Sequence, residues 1–295
     1  MGEVRCVAPV GDVTGEGAVW SAAEGCLYWV DINRFLVHRM DGAGAVLSWH
    51  FGEPATALAL TDRPGTLLAA LGSRLILWTP ADDSRRQIGH GLPGAPAVRF
   101  NDGRPDPLGR FVVGTMANNV GPDGEGLDAA PGLGKLYVLT ADGTLAELQA
   151  GIGIANTVCW SPDARTFYFA DTLANELRAH DFDPATGAIG AARPFLAGHA
   201  RGLPDGSAVD AEGCVWNARY GGACLLRIAP DGTVERVVEM PCGNVTTCTF
   251  GGADLRTLYV TTARGGDGPS ERLAGSVFAL DAPAPGLPER VFRLG

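Results

Sequence analysis

Short β-prone runs recur along the whole chain, each cut off by a cluster of Gly, Pro or Asp. Examples are Cys26-Leu27-Tyr28-Trp29-Val30, Arg110-Phe111-Val112-Val113, Thr166-Phe167-Tyr168-Phe169 and Thr257-Leu258-Tyr259-Val260. Aromatic and β-branched side chains favour a pleated surface, and runs this short suit strands better than helices. Among 295 residues, 42 Gly and 20 Pro supply the breaks. Helical periodicity is nearly absent.

The runs repeat as a unit. Asp163-Ala164-Arg165-Thr166-Phe167-Tyr168-Phe169 aligns by eye with Asp210-Ala211-Glu212-Gly213-Cys214-Val215-Trp216 and with Asp106-Pro107-Leu108-Gly109-Arg110-Phe111-Val112. A strand, an Asp-containing turn and a second strand precede a third, as at Lys135-Leu136-Tyr137-Val138-Leu139. Then Asp142-Gly143 or Asp231-Gly232 leads to an outer strand. Asp-Gly suits a tight hairpin because both residues accept positive φ cheaply. Units begin near Gly15, Ala55, Phe100, Ala155, Pro204 and Asn244, a spacing of roughly 40–55 residues that matches four-stranded propeller blades. A solenoid of that period would need capping repeats, whereas a closed ring needs none. The expectation is an all-β, six-bladed β-propeller occupying residues 1–295 as one domain. The strand Arg5-Cys6-Val7 is expected to complete the last blade beside Arg290-Val291-Phe292. A two-domain β-sandwich is the plainer alternative.

Composition narrows the function. A formal charge of −10 speaks against nucleic acid, which requires a basic surface. No apolar run approaches the ~20 residues of a membrane span, and the first residues lack the pattern of a secretory signal. The seven cysteines form no Cys-x-x-Cys pair and mostly lie in apolar runs, which reads as reduced, buried thiols in a cytoplasmic protein. Lys135, the only lysine, opens a strand, which argues against Schiff-base chemistry.

Four polar turns stand out at the unit boundaries: Gly15-Glu16-Gly17, Arg99 to Gly103, Ala155-Asn156-Thr157 and Pro204-Asp205-Gly206. Each offers a side-chain oxygen. In a radial array, equivalent positions border the central channel, so these oxygens would converge. Carboxylate and amide donors suit a hard or borderline divalent ion, and the turns hold no His or Cys for a structural zinc site. Such an ion can polarise a carbonyl and lower the pKa of a bound water. Any one of these residues, beside Gly, could simply cap a turn. Asp102 and Asp106 read as loop braces, and Asp163 and Asp210 as parts of the repeated blade turn. The histidines show no ligand spacing or nucleophilic relay.

The ordered set Gly15-Glu16-Gly17-Ala18-Val19-Trp20, Phe100-Asn101-Asp102-Gly103 with Asp106-Pro107 and Gly114-Thr115-Met116, Asn156 with Trp160-Ser161-Pro162-Asp163, Pro204-Asp205-Gly206, and Cys248 to Gly252 resembles the SMP-30/gluconolactonase (regucalcin-like) family over essentially the whole chain. The resemblance implies a propeller holding one divalent metal and hydrolysing sugar lactones. It implies Glu16, Asn156 and Asp205 as metal ligands, Asp205 also as proton acceptor, and Arg99 and Asn101 as sugar-holding residues. Position 119 is a substrate contact in some members; here it is Asn119, where regucalcin-like proteins carry an acid. Zn, Mn, Ca, Mg and Fe(II) all accept such ligands. The expected reaction is attack of water on a metal-polarised lactone carbonyl. Two alternatives keep the fold: a phosphotriesterase-like hydrolase and a non-catalytic calcium-binding regulator.

Overall fold

The computed structural model describes residues 2–265 and 271–295. Six antiparallel sheets form the blades, numbered here in chain order. Their innermost strands are Gly15–Ser21, Ala55–Thr61, Val98–Pro105, Ala155–Trp160, Leu203–Val209 and Asn244–Gly251. The units begin within two residues of the positions expected from the repeat. Each inner strand packs against the next, and the sixth packs against the first, so the ring closes. Among the described residues the one helical element is a 3-10 turn, Glu271–Leu273.

The core is divided in the same way. Six clusters of buried apolar side chains lie one at each interface between neighbouring blades. A blade buries both faces, which explains strands such as Cys26–Asp31 and Leu67–Leu71 that read as continuous apolar runs rather than alternating ones. Trp29, Trp78 and Trp216 are fully buried here, as expected of packing residues. The seven cysteines are present as thiols, and six are buried.

The repeated Asp turn has a clear purpose. Asp210 Oδ1 accepts from the backbone N–H of Glu212 and Cys214, while Oδ2 accepts from Trp216 Nε1 and Arg227 Nε. Asp106 likewise accepts from the N–H of Leu108 and Arg110. These are structural turns, as the sequence implied.

The chain ends depart from expectation. Arg5–Ala8 does complete blade 6, but as its outer strand against Val277–Asp281. Val291–Phe292 lies elsewhere, parallel to the inner strand Ala55–Thr61, and gives blade 2 a fifth strand. Fully buried Phe292 explains the choice: it fills the cluster between blades 2 and 3.

Candidate functional site

The four polar segments are not turns. They lie on the inner strands, and each inner strand bulges at this level. In blade 3 Phe100 pairs with Thr115 and Gly103 with Val113, so Asn101 and Asp102 together oppose one residue. Asp205 and Gly206 do the same in blade 5. An extra residue re-aims side chains without ending the strand. It also corrects the expected equivalence. Asn101 and Asp205 sit within their bulges, whereas Glu16 and Asn156 are the last paired residues before theirs.

The bulges demand unusual backbone. Thr157 has φ of 57° and Gly17 of 58°. At Gly206 a Cβ would lie 2.0 Å from Thr247 Oγ1 on the neighbouring blade, so only glycine lets the two inner strands approach.

All six residues singled out by motif and resemblance line one cavity of about 280 Å³ at this end of the channel: Glu16, Arg99, Asn101, Asn119, Asn156 and Asp205. A hydrogen-bonded chain runs along its wall. Arg99 Nη1 donates to Asn101 Oδ1 at 2.7 Å, and Asn101 Nδ2 donates to Asn156 Oδ1 at 3.0 Å. Asn156 Nδ2 donates to Thr172 Oγ1 at 2.9 Å, so both ends of the amide are held. Arg99 Nε and Nη2 both donate to Asn119 Oδ1, at 3.0 and 2.7 Å.

Glu16 and Asp205 interact directly through their carboxyl groups. Burial, followed by the charge of Asp102, pushes Glu16 up to about 8. Burial, then the charge of Glu16, raises Asp205 well above the usual carboxylate range. Two buried acids in contact, with the Asn156 amide on the same cavity, form an oxygen-only donor set suited to a hard or borderline divalent cation. Burial lowers Arg99 to about 10, so it remains a cation at neutral pH.

Sequence reasoning missed several supporting groups. Asp102 is more than a loop brace: its Oδ2 accepts from Val158 N across the blade 3–blade 4 interface, and its charge reaches both Glu16 and Asp205. Thr172 orients Asn156 from the turn that follows the strand Thr166–Asp171, a contact that no motif announces. Asn33 Nδ2 holds Gly124 O, docking the long loop that carries Asn119. Two other polar clusters are structural. Asp210, Glu212 and Cys214 come together, but both Asp210 oxygens are taken by backbone N–H groups, Trp216 and Arg227. Ser48, His38 and Asp12 are in line, at 2.7 and 3.1 Å, yet Asp12 also holds Trp29 and Arg34, and Ser48 lies on the outer strand of blade 1.

Known proteins share the sequence pattern and the fold. The family model "SMP-30/Gluconolactonase/LRE-like region" matches residues 14–264. A pentonolactonase of Haloferax volcanii is 36% identical over 93% of each chain. A 6-deoxy-6-sulfogluconolactonase of Pseudomonas putida is 34% identical over 98% of each. The crystal structure of a calcium-binding protein, regucalcin, from Agrobacterium tumefaciens superposes with a TM-score of 0.90 at 30% identity, covering 99% of this chain and 98% of that one. With its ring of six blades, a family model matched over residues 14–264 and relatives above 30% identity, the chain belongs to the SMP-30/gluconolactonase/LRE-like family.

Proposed function

We propose that this protein is a divalent-metal-dependent lactonase that opens sugar (aldono-) lactones to aldonic acids, the whole chain acting as one propeller domain. The observation that carries the reading is the buried pair Glu16 and Asp205 facing each other beside the Asn156 oxygen, with Arg99 and Asn101 on the adjoining wall. The relatives named for their substrates act on a pentonolactone and on a sulfonated gluconolactone, and the solved regucalcin is described as calcium-binding. Seven cysteines held as thiols suit a reducing compartment, and we place the reaction in the cytoplasm.

Glu16, Asn156 and Asp205 would hold the ion, with Zn, Mn, Ca, Mg and Fe(II) all compatible with their oxygens. When bound, the cation balances the paired carboxylates and supplies Lewis-acid polarisation of a carbonyl. Asp205 takes a proton from the attacking water as the water oxygen bonds to the carbonyl carbon. The bond between the carbonyl carbon and the ring oxygen then breaks, and the departing ring oxygen takes up the proton held by Asp205, leaving a hydroxyl and an aldonic acid and restoring the Asp205 carboxylate. Arg99 and Asn101, each at least nine-tenths buried, hold sugar hydroxyls and so fix the ring for attack.

The test is turnover of a panel of aldonolactones followed by acid release, with the spontaneous rate subtracted. Asp205→Asn is expected to lower kcat by roughly 10²–10⁴-fold, the range for a lost general base. Arg99→Ala should mainly raise KM. Chelation should abolish turnover and added divalent metal restore it. Wild-type rates in Asp205→Asn would overturn the assignment.

A further inference from the structure

We propose that the preferred substrate is an anionic sugar lactone, one carrying a carboxylate, sulfonate or phosphate at the end of the sugar remote from the reacting carbonyl. The inference rests on the lactonase reading above and adds the substrate class.

Its basis is the chemistry of the wall formed by Arg99 and Asn119. A guanidinium only donates, so the two bonds from Arg99 Nε and Nη2 fix Asn119 with Oδ1 toward the arginine. The Asn119 amide NH₂ is thereby turned away from Arg99, and it donates to no protein group among the described residues. Arg99 uses Nη1 for Phe100 O and Asn101 Oδ1, leaving one Nη2 N–H without a protein acceptor there. What this wall offers the cavity is donors alone. A carboxylate at position 119 would have supplied an acceptor and neutralised the arginine. Asn119 does neither.

The charge balance points the same way. Every hydrogen bond that Arg99 makes among the described residues ends on a neutral oxygen. Arg219, fully buried behind the cavity lining and within reach of the Asp205 charge, also donates only to backbone carbonyls and to Asn175 and Asn217. Below them, Arg104 is matched by Glu289. With a divalent ion balancing Glu16 and Asp205, Arg99 and Arg219 stand against one remaining buried carboxylate, Asp102, and a net positive charge is left around the cavity of a chain of formal charge −10. A buried cation facing a group rich in acceptors forms a charge-assisted hydrogen bond, roughly twice as strong as a neutral one. The path from the metal-ligand oxygens to this wall runs through Asn101, so the Arg99–Asn119 donors face the far end of a ring whose carbonyl lies at Glu16 and Asp205.

The test compares matched six-carbon lactones with a hydroxymethyl, a carboxylate, a sulfonate or a phosphate at the terminal carbon. The expected result is a kcat/KM at least about tenfold higher for one or more anionic members, with the preference shrinking as salt rises. The three anionic arms identify the group. The corresponding ring-opened acids, added to the protein with and without divalent metal, should raise its melting temperature more when the terminal carbon is anionic. Asn119→Asp, confirmed as folded by its melting curve, should cut the anionic preference by about tenfold or more. Equal or higher kcat/KM for the neutral lactone in the wild type overturns the inference and leaves the lactonase reading standing. Absence of turnover with every lactone and metal overturns both.

Discussion

At the scale of single residues, the cavity concentrates groups that are costly to bury. Burial first, and then the charge of Asp102 on Glu16 and those of Glu16 and Asp102 on Asp205, raise both carboxyl groups above the usual range. Removing one acid should therefore act with opposite signs in two states. Without metal, burying the Glu16 carboxyl costs stability at neutral pH, so Glu16→Gln is expected to raise the melting temperature. With saturating divalent ion, the wild type gains stability by mass action, about 2.7 kcal/mol at a hundredfold excess over Kd, and the variant loses most of that gain. Melting curves with chelator and with metal check both signs. A second residue makes a pH prediction. His180 is buried, its Nδ1 is bonded to Gly190 O, and its Nε2 finds no partner among the described residues. Burial accordingly lowers its pKa below the ordinary 6.5. In the window between the unfolded and folded values the unfolded chain binds more protons, so stability is full above pH 6.5 and falls as the pH drops through the folded value. The melting temperature should decline on acidification in that window, and His180→Gln should flatten the decline.

At the scale of elements, the inner strand with its bulge is the working unit. Gly206 shows how closely it is fitted. A Cβ there would meet Thr247 Oγ1 at 2.0 Å and Thr247 Cβ at 2.4 Å, close to backbone rather than at the tip of a flexible chain. Gly206→Ala is expected to destabilise by about 1–3 kcal/mol through overpacking. It should also weaken metal binding by displacing Asp205, a loss that calorimetric titration would register. Strands and Asp turns were legible from sequence because local preference and burial agree there: Thr166-Phe167-Tyr168-Phe169 has nowhere to go but a blade. The convergence of Glu16, Asn156 and Asp205 was legible only through the repeat and the resemblance. The bulges were not legible, because the two-against-one pairing opposite Ala218 or Gly114 is decided by the partner strand. Nor was the loop from Asn118 to Gly132, which has no periodicity and is placed by distant contacts such as Asn33 Nδ2 to Gly124 O.

At the scale of the molecule, both chain ends close the ring, and they do so in different places. The N-terminal strand Arg5–Ala8 covers the outside of blade 6, whereas the C-terminal segment crosses the face opposite the cavity. On the way it touches blade after blade. Ala211 N donates to Pro285 O, Gly286 N to Leu255 O, and Arg293 N to Gly109 O. Glu289 accepts from Arg104 Nη1 at 2.9 Å and Thr249 Oγ1 at 2.7 Å. Phe292 then anchors the segment by filling the cluster between blades 2 and 3 with no exposed surface. Sequence could not assign that partner, since two residues carry no register information and either neighbouring edge would accept them. The arrangement separates stability from catalysis. Val291 and Phe292 pair with Leu60 and Thr61, at the far end of the same inner strand whose near end carries the bulge at Thr56. Phe292→Ala should therefore cost about 3–5 kcal/mol, the usual loss for a buried aromatic ring. In a chain of this size that lowers the melting temperature by about 2 °C per kcal/mol. Well below the melting transition, kcat and KM should stay at wild-type values, because the inner-strand bulges and the Arg99–Asn101–Asn156 chain are held without it. A matched control, Leu148→Ala on an exposed outer strand, should shift the melting temperature little. A large fall in kcat for folded Phe292→Ala would show instead that the strap shapes the cavity through Arg104 and Asp102, and that the two faces of the ring are coupled.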